Sequence, residues 1–311
     1  MADYITIDGG TTNTRLRLVR DGQILDTLRY PVGARAGIDN KTLLRETIRT
    51  GITELLSRNS LCEKDICRIL ACGMITCEFG LLDLPHITAP AGIRELHNAM
   101  HETVLADITP IPFVFIRGVK LSTGDLASTD MMRGEETELM GICNGEAGVF
   151  ILPGSHSKII TTDADGRISD FRTMLTGEMI AALSGNTILK DAVDLSITAL
   201  DPDFLRKGYD YAAAHGINEA LFKVRVLKNL FGAAPHEVYS FYMGILLTDE
   251  IRTVLAQNPG KAVIGGRKAI REATAILLTA LSAAEVIALT DEKVETSSAL
   301  GAVKVYEYHE N

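Results

Sequence analysis

The sequence predicts an α/β protein built from two similar mixed-sheet domains. The chain has 311 residues, which is long enough for two hydrophobic cores. Each half begins with an apolar strand, a glycine-containing turn and two further strands, and then continues with alternating helices and strands. The halves share no period at the level of residues, so we interpret the repeat as one of architecture only.

The first half is predicted to follow the order βββαβαβα. Residues 3–8 are apolar, Arg15–Leu18 alternates with period two, and Asp21-Gly22 predicts a hairpin turn before a strand at 23–30. Asn40 then precedes a helical pattern and is the predicted N-cap. The remaining elements are a strand at 66–71, a helix at 92–105, a strand at 112–116 and a helix at 133–142.

The second half repeats this order with one insertion. The segment "VFILPGSHSKIITTDADGRISDF" predicts three strands, and helical sequence starts at Thr176. A mostly helical insertion covers about 186–257. The predicted elements after it are a strand at 262–266, a helix at 267–281, a strand at 285–288 and a last helix at 298–308. We therefore expect one domain at 1–143, completed by the C-terminal helix 298–311, and a second at 144–297.

Composition limits the class of function. The formal net charge of −9 argues against a nucleic-acid surface, which needs a basic face. No stretch approaches the length of a membrane span, and the N-terminus lacks the pattern of a signal sequence. The five cysteines match neither zinc-site nor disulfide spacing, so we expect a cytoplasmic protein. The apolar segment "EVYSFYMGILL" (237–247) has two interpretations, a buried core or a homodimer interface.

The first hairpin suggests a phosphate site. Asp8 ends the first strand and is followed by Gly9, Gly10 and the polar residues Thr11, Thr12 and Asn13. Glycines let backbone N–H groups approach phosphate closely, while Asp8 would act through Mg²⁺ because it repels phosphate directly. Neither a Walker loop nor a dinucleotide fingerprint fits, because a strand and not a helix follows. The alternative is a plain tight hairpin with Asp8 as a turn residue.

Several motifs resemble the 2-dehydro-3-deoxygalactonokinase family. They are "IDGGTTNTRLRL" (7–18), "ACGM" (71–74), "MRGEET" (132–137), "LPGSHSK" (152–158), "LTGE" (175–178) and "LFKVR" (221–225). The duplicated order with phosphate hairpins is also similar to the ATPase fold of sugar kinases, actin and Hsp70 chaperones. The resemblance implies two ribonuclease-H-like domains with a nucleotide cleft between them. It also implies ATP-dependent phosphorylation of the 6-hydroxyl of a 2-keto-3-deoxy sugar acid in galactonate breakdown.

The resemblance assigns roles to particular positions. For ATP these are Asp8, Gly9, Gly10, Thr11, Thr12, Asn13, Gly154, Ser155, His156, Ser157, Lys158, Gly265 and Gly266, with Asp8 also on Mg²⁺. For the sugar acid they are Arg15, Gly73, Met74, Arg133, Glu136, Thr176 and Glu178. The chain departs from the family pattern at two usual tryptophans, where it has Gly9 and Ile159, and after "CGM", where it has Gly80-Leu81 and Pro85-His86. The second departure bears on the exact substrate.

Phosphoryl transfer needs a carboxylate to accept the proton of the attacking hydroxyl. Asp130 is the first candidate, because it precedes the helix at 133–142, and Glu135 is the runner-up. In the alternative interpretation Asp130 caps this helix and the glutamates complement its dipole. Arg133 suits a bidentate grip on the carboxylate of a sugar acid, and Lys158 suits the γ-phosphate.

Three functions remain open at this stage. The first is a kinase for 2-keto-3-deoxygalactonate. The second is a kinase for another small molecule, such as 2-keto-3-deoxygluconate or a pantothenate-like alcohol. The third is a non-catalytic ATP switch on the same fold. The small residues in "GEETELMGI" and "SSALGAVKVY" also predict two helices that cross closely at a hinge.

Overall fold

The computed structural model describes residues 2–309, which form two compact units. The first unit contains the residues up to Glu146, the segment Asp163–Asp170 and the residues from Glu292 onward. The second contains Ala147–Thr162 and Phe171–Asp291. The predicted allocation of two ATPase-type domains to 1–143 with 298–311 and to 144–297 stays a prediction.

Fourteen strands and eleven α-helices are present in the described part of the chain, together with three 3₁₀ helices of three residues each. The strands are β1 Asp3–Gly9, β2 Thr14–Arg20, β3 Gln23–Tyr30, β4 Ile66–Gly73, β5 Ile87–Thr88, β6 His101–Thr103, β7 Phe113–Phe115, β8 Val119–Leu121, β9 Asp130–Met132, β10 Gly148–Leu152, β11 Ser157–Thr162, β12 Ile168–Met174, β13 Lys261–Ile264 and β14 Glu285–Ala288. The helices are α1 Ala36–Asp39, α2 Lys41–Arg58, α3 Ile93–Asn98, α4 Glu135–Ile142, α5 Thr176–Asn186, α6 Pro202–His215, α7 Ile217–Phe231, α8 Pro235–Leu246, α9 Thr248–Ala256, α10 Lys268–Leu281 and α11 Asp291–Tyr306.

A six-stranded sheet in the order β3-β2-β1-β4-β7-β6 forms the centre of the first unit. β1 is antiparallel to β2 and parallel to β4, which sets Asp8 opposite Arg15 on one side and Cys72 on the other. The side chain of Asn40 accepts the N–H groups of Thr42 and Leu43 and so starts α2, which confirms the predicted cap. The apolar side of α2 is buried in the same core as the inward side chains of β1 and β2.

A second sheet of three short strands, in the order β5-β8-β9, belongs to the same unit. Asp130 lies in β9, opposite Leu121 of β8. The interpretation of Asp130 as a helix cap is therefore wrong, because α4 begins at Glu135 and its N-cap is Gly134. Gly134 has φ +109°, a value that glycine adopts readily and that other residues rarely do.

Two predicted helices have different bounds. The helix predicted at 92–105 ends at Asn98, and the residues after it turn back into β6, which pairs antiparallel with β7. α11 begins at Asp291, seven residues before the predicted start at 298, and ends at Tyr306. Of the predicted C-terminal segment 298–311, residues 310 and 311 lie outside the described residues. The predicted close crossing is present, because a Cβ on Gly141 of α4 would lie 2.0 Å from the carbonyl oxygen of Ser297 in α11.

The second unit contains a five-stranded sheet in the order β12-β11-β10-β13-β14. Helices α6 to α9 supply most of its helical layer, and every residue of α8 from Val238 to Leu246 is buried. The segment 237–247 is therefore core, which excludes its interpretation as an exposed homodimer interface. None of the helices in the described residues has both the length and the apolar composition that crossing a membrane requires.

Candidate active site

The β1–β2 turn is tight and open to solvent. The N–H of Gly10 donates to the carbonyl oxygen of Asn13 at 2.8 Å, which closes the turn. Thr11, Thr12 and Asn13 are all exposed. The segment after β3 stabilises the turn, because the N–H of Ala34 donates to the Gly10 carbonyl oxygen at 3.0 Å. The polar residues predicted to meet phosphate thus lie at the surface of the first unit.

Three glycines bring three separate sequence motifs into backbone contact. Gly73, which has φ +86°, follows Cys72 at the end of β4, and a Cβ on it would lie 2.5 Å from the carbonyl oxygen of Gly9. A Cβ on Gly134 would lie 3.2 Å from the Cα of Gly73. Since contacts below about 3.0 Å do not occur for real Cβ atoms, residue 73 must be glycine if β4 is to end against β1. The turn after Asp8, the Gly73-Met74 segment and the start of α4 consequently lie together.

Asp8 is oriented by groups from β2 and α11. Its Oδ2 lies 3.3 Å from Nη1 of Arg15 and accepts a hydrogen bond from the Ser298 hydroxyl at 3.4 Å. The guanidinium of Arg17, which is 1% exposed, donates to the same hydroxyl and to the carbonyl oxygen of Glu295. Asp8 itself keeps 24% of its side chain exposed. The carboxylate is therefore fixed in direction and still open to a ligand.

The donor set around Asp8 suits an indirectly held magnesium ion. Among the described residues, the group of three ligating side chains that lie within 4.8 Å of one another is Asp201, His236 and Glu237 in the second unit, and Asp8 belongs to no such group. The carboxylates of Asp201 and Glu237 already accept backbone N–H groups at the starts of α6 and α8. One accessible carboxylate fits Mg²⁺, which keeps most of its water and takes its other ligands from phosphate oxygens.

Glu138 is a member of this site that the sequence reasoning missed. Its pKa is raised to about 8, first by burial and then by the negative charges of Asp8 and Glu135, against the opposing charges of Arg15 and Arg17. Glu135 and Glu138 are three residues apart on α4 and so lie on one side of the helix. The helical spacing of "GEETE" was the signal that could have found Glu138.

Glu136 points into the protein. It is fully buried, and both of its carboxylate oxygens accept the N–H of Gly134, at 2.9 and 2.8 Å. The Thr137 hydroxyl donates to it at 3.0 Å. Burial, followed by the charge of Glu135, raises the pKa of Glu136 to about 8. In this arrangement Glu136 completes the N-terminus of α4, and its predicted contact with substrate stays a prediction.

Arg133 holds a neighbouring segment. Its Nη1 donates to the carbonyl oxygen of Thr76 at 2.7 Å and to the Thr76 hydroxyl at 2.9 Å, and its Nη2 donates to the Leu84 carbonyl oxygen at 2.8 Å. The guanidinium therefore links Thr76 with Leu84, which lie at the two ends of the segment that follows the "ACGM" motif. Two donors that a bidentate carboxylate grip would use are already occupied.

Asp130 and Glu135 occupy different settings. The carboxylate of Asp130 accepts the N–H of the next residue, Met131, at 2.7 Å within β9. Glu135 lies in the first turn of α4, accepts the N–H of Arg133 at 3.1 Å and interacts with Glu138. The charges of Glu135 and Asp8 both raise the pKa of Glu138, which connects Glu135 electrostatically with the region of Asp8.

In the second unit, three predicted segments meet at the β10–β11 turn. A Cβ on Gly177 of α5 would lie 2.0 Å from the carbonyl oxygen of Gly154, so α5 begins directly against the turn. The N–H of Glu178 donates to the carbonyl oxygen of Ser155 at 3.1 Å, and the Glu178 carboxylate lies 3.1 Å from Nε2 of His156. Glu178 thus lies beside the predicted phosphate hairpin.

The glycine pair after β13 lies against the same turn. A Cβ on Gly266, which has φ +66°, would lie 2.1 Å from the carbonyl oxygen of Pro153, so only glycine fits there. The next residue, Arg267, donates its N–H to that carbonyl oxygen at 2.8 Å and its Nη2 to the Ser155 hydroxyl at 2.9 Å. The sequence reasoning missed Arg267, an exposed cation beside the turn.

A buried carboxyl group supports this turn from below. Glu250 of α9 is 1% exposed, and its Oε2 accepts the Thr176 hydroxyl at 2.7 Å. Burial raises its pKa, although the hydroxyls of Thr176 and Ser157 act in the opposite direction. Thr176 therefore contributes to the support of the turn, and Lys158, which is 4% exposed, is packed within β11.

A family model and two relatives that match this chain carry similar descriptions. A family model described as 2-keto-3-deoxy-galactonokinase matches residues 8–299. A protein of Rhizobium meliloti (strain 1021), named as a candidate 2-dehydro-3-deoxygalactonokinase, is 27% identical over 268 residues, which cover 81% of this chain and 80% of the relative. The 2-dehydro-3-deoxygalactonokinase of Escherichia coli (strain K12) is 26% identical over 257 residues, with the same coverage.

A solved structure shares the fold. A crystal structure from Sinorhizobium meliloti, described as a candidate 2-dehydro-3-deoxygalactonokinase, superposes with a TM-score of 0.77 and 23% identity. The match covers 98% of this chain and 100% of that chain. This likeness confirms the predicted α/β fold class with its two mixed-sheet units.

The pKa of Glu138 predicts a pH-dependent stability. A carboxyl group whose pKa is raised by folding stabilises the fold below its unfolded pKa, near 4.5, and this contribution is lost as pH rises toward 8. We expect Glu138→Gln to be more stable, relative to wild type, at pH 8 than at pH 5, by roughly 1–3 kcal/mol. Urea unfolding at both pH values measures this. The exposed Glu292→Gln is the control, and an equal effect of Glu138→Gln at both pH values would contradict the assignment.

Proposed function

Because the chain belongs to the 2-keto-3-deoxy-galactonokinase family, we propose that it transfers the γ-phosphoryl group of ATP to the 6-hydroxyl of 2-dehydro-3-deoxy-D-galactonate. The family match over residues 8–299 carries the proposal. The contacts of Gly73 with Gly9 and Gly134 support it, because they join the Asp8 strand to the acidic start of α4. Phosphoryl transfer needs hydrogen-bond donors for the phosphates, a carboxylate that holds the metal ion and a general base in one place.

In this proposal the two glycine turns supply the groups that donate hydrogen bonds to the phosphate oxygens of ATP. In the first unit these are the residues Gly9–Asn13, and in the second Gly154–Lys158 with Arg267. Asp8 would hold Mg²⁺ through the water shell of the ion, and a bound ion would supply charge neutralisation at the phosphates. The Arg15 guanidinium beside Asp8 is a further donor for a phosphate oxygen or for the substrate.

Glu135 accepts the proton of the attacking hydroxyl in our proposal, with Asp130 as the alternative. Glu135 begins α4 directly after Gly134, whose backbone contacts Gly73. Glu138, one turn further on, has a pKa of about 8 and thus spends part of its time neutral near physiological pH. A partly neutral Glu138 reduces the negative charge that Glu135 and Asp8 would otherwise present to the phosphates.

The substrate is tested with a coupled assay that follows ADP release. We expect rapid turnover with 2-keto-3-deoxygalactonate and Mg-ATP, slower turnover with the gluconate-derived epimer and none with pantothenate. A mixture without sugar acid should release little ADP. Equal ADP release with and without every sugar acid would support an ATP switch and contradict the kinase proposal.

The base is tested with isosteric variants. Glu135→Gln should lower kcat by about 10²–10⁴-fold, because a missing general base costs that much, while the KM for ATP changes little. Asp130→Asn should keep kcat within about threefold of wild type, since Asp130 lies in β9. Loss of turnover in Asp130→Asn together with an active Glu135→Gln would reverse the assignment.

A further inference from the structure

A histidine in the first unit packs directly onto a bare glycine backbone. His86 lies just before β5, and a Cβ on Gly118 would lie 2.8 Å from its Cδ2. The same Cβ would lie 2.7 Å from Cγ of Arg133 and 2.3 Å from the carbonyl oxygen of Met132. The imidazole ring and the stem of Arg133 thus meet over Gly118, and a larger residue at 118 would displace both.

The Nε2 atom of the His86 ring is buried and has no hydrogen-bond partner in the part of the chain that the structure describes. A buried polar atom without a partner costs about 1–3 kcal/mol, and such atoms are uncommon in folded proteins. The buried Nε of Arg117, in the loop before Gly118, also lacks a partner among the described residues.

The surroundings of His86 are cationic. In the parallel pairing of β5 with β8, Lys120 lies opposite Thr88, which is two residues after His86. The pKa of His86 is lowered to about 4, first by burial and then by the charges of Arg133 and Lys120, while Asp83 opposes them weakly. Within the part of the chain that the structure describes, neither Lys120 nor Arg133 has a carboxylate within salt-bridge distance, and the partners of the Arg133 guanidinium are two carbonyl oxygens and a hydroxyl. In a chain with net charge −9, two uncompensated cations beside an unpaired imidazole are an unusual local excess of positive charge.

This arrangement matches the chemistry of a carboxylate ligand. A carboxylate accepts several hydrogen bonds, and its bonds to an ammonium group or to an imidazole N–H are short and strong. It would also give Nε2 of His86 a partner and neutralise part of the positive charge. The cluster adjoins α4 along the chain, because Gly134 and Glu135 follow Arg133 directly.

We propose that His86 and Lys120 bind the carboxylate of the sugar-acid substrate, an inference that rests on the proposed kinase function. Arg133 contributes positive charge to this carboxylate subsite and holds the segment from Thr76 to Leu84 in place. From the subsite the substrate extends toward Glu135. His86 and Lys120 then determine the preference for an acid over a neutral sugar.

The test compares 2-keto-3-deoxygalactonate with its C1 amide, which keeps the hydroxyls and removes the charge. His86→Phe and Lys120→Met should each raise the KM for the acid by about 10–100-fold, as expected for the loss of a charge-assisted hydrogen bond. The KM for the amide and the KM for ATP should change by less than about threefold. Lys120→Arg should restore most of the preference, because it keeps the charge, and the exposed Lys64→Met is the matched control.

The outcomes separate this inference from the function on which it rests. If wild type phosphorylates the acid but His86→Phe and Lys120→Met change only the melting temperature and leave the acid-to-amide KM ratio as it was, the subsite is overturned and the kinase function stands. If wild type phosphorylates no sugar acid, the kinase function fails and the subsite falls with it. A selective loss of the acid preference in both variants supports the subsite and the kinase function.

Discussion

The close approach of three backbones at Gly9, Gly73 and Gly134 is the constraint on which the first unit depends. β1, β4 and the start of α4 carry residues to which we assign different roles in our proposal, and a single Cβ on Gly73 would lie 2.5 Å from the Gly9 carbonyl oxygen. Glycine at this position is therefore required by space as well as by its positive φ. The second unit uses the same device, since Gly177 and Gly266 admit backbone against the Pro153–Gly154 turn.

Around these contacts, the charged residues of the first unit form one acidic region and one basic region. The negative charges of Asp8 and Glu135 both raise the pKa of Glu138, and the charges of Arg15 and the buried Arg17 act in the opposite direction. The Asp8 carboxylate is accessible, and the pKa of Glu138 is raised. In the cluster of His86, Lys120 and Arg133 the excess is positive instead. In our proposals the acidic region takes Mg²⁺ and the basic region takes an organic anion.

Local pattern was sufficient for much of this fold. The β1–β2–β3 meander, the Asn40 cap and the fold class follow from period-two alternation, turn residues and capping chemistry, which act over a few residues. The sheet β5-β8-β9 was not predicted, because strands of two or three residues have no measurable periodicity. For the same reason Asp130 was expected at a helix start. The carbonyl partners of Arg133 and the support that Glu250 gives to Thr176 are tertiary contacts with no local signal.

The central claim, that the backbone contact at Gly73 assembles the site, is tested most directly by kcat for Gly73→Ala against Gly22→Ala. Both glycines have positive φ, but a Cβ on Gly22 would meet nothing within 4 Å. Gly22→Ala bears a conformational cost of about 1–2 kcal/mol. Gly73, at φ +86° and ψ −156°, lies in a backbone region essentially confined to glycine, so Gly73→Ala must change its own backbone as well as displace β1. We expect folded Gly73→Ala to lose about a hundredfold in kcat, as a displacement near 1 Å does, while Gly22→Ala keeps wild-type kcat. Wild-type kcat in folded Gly73→Ala would contradict the account.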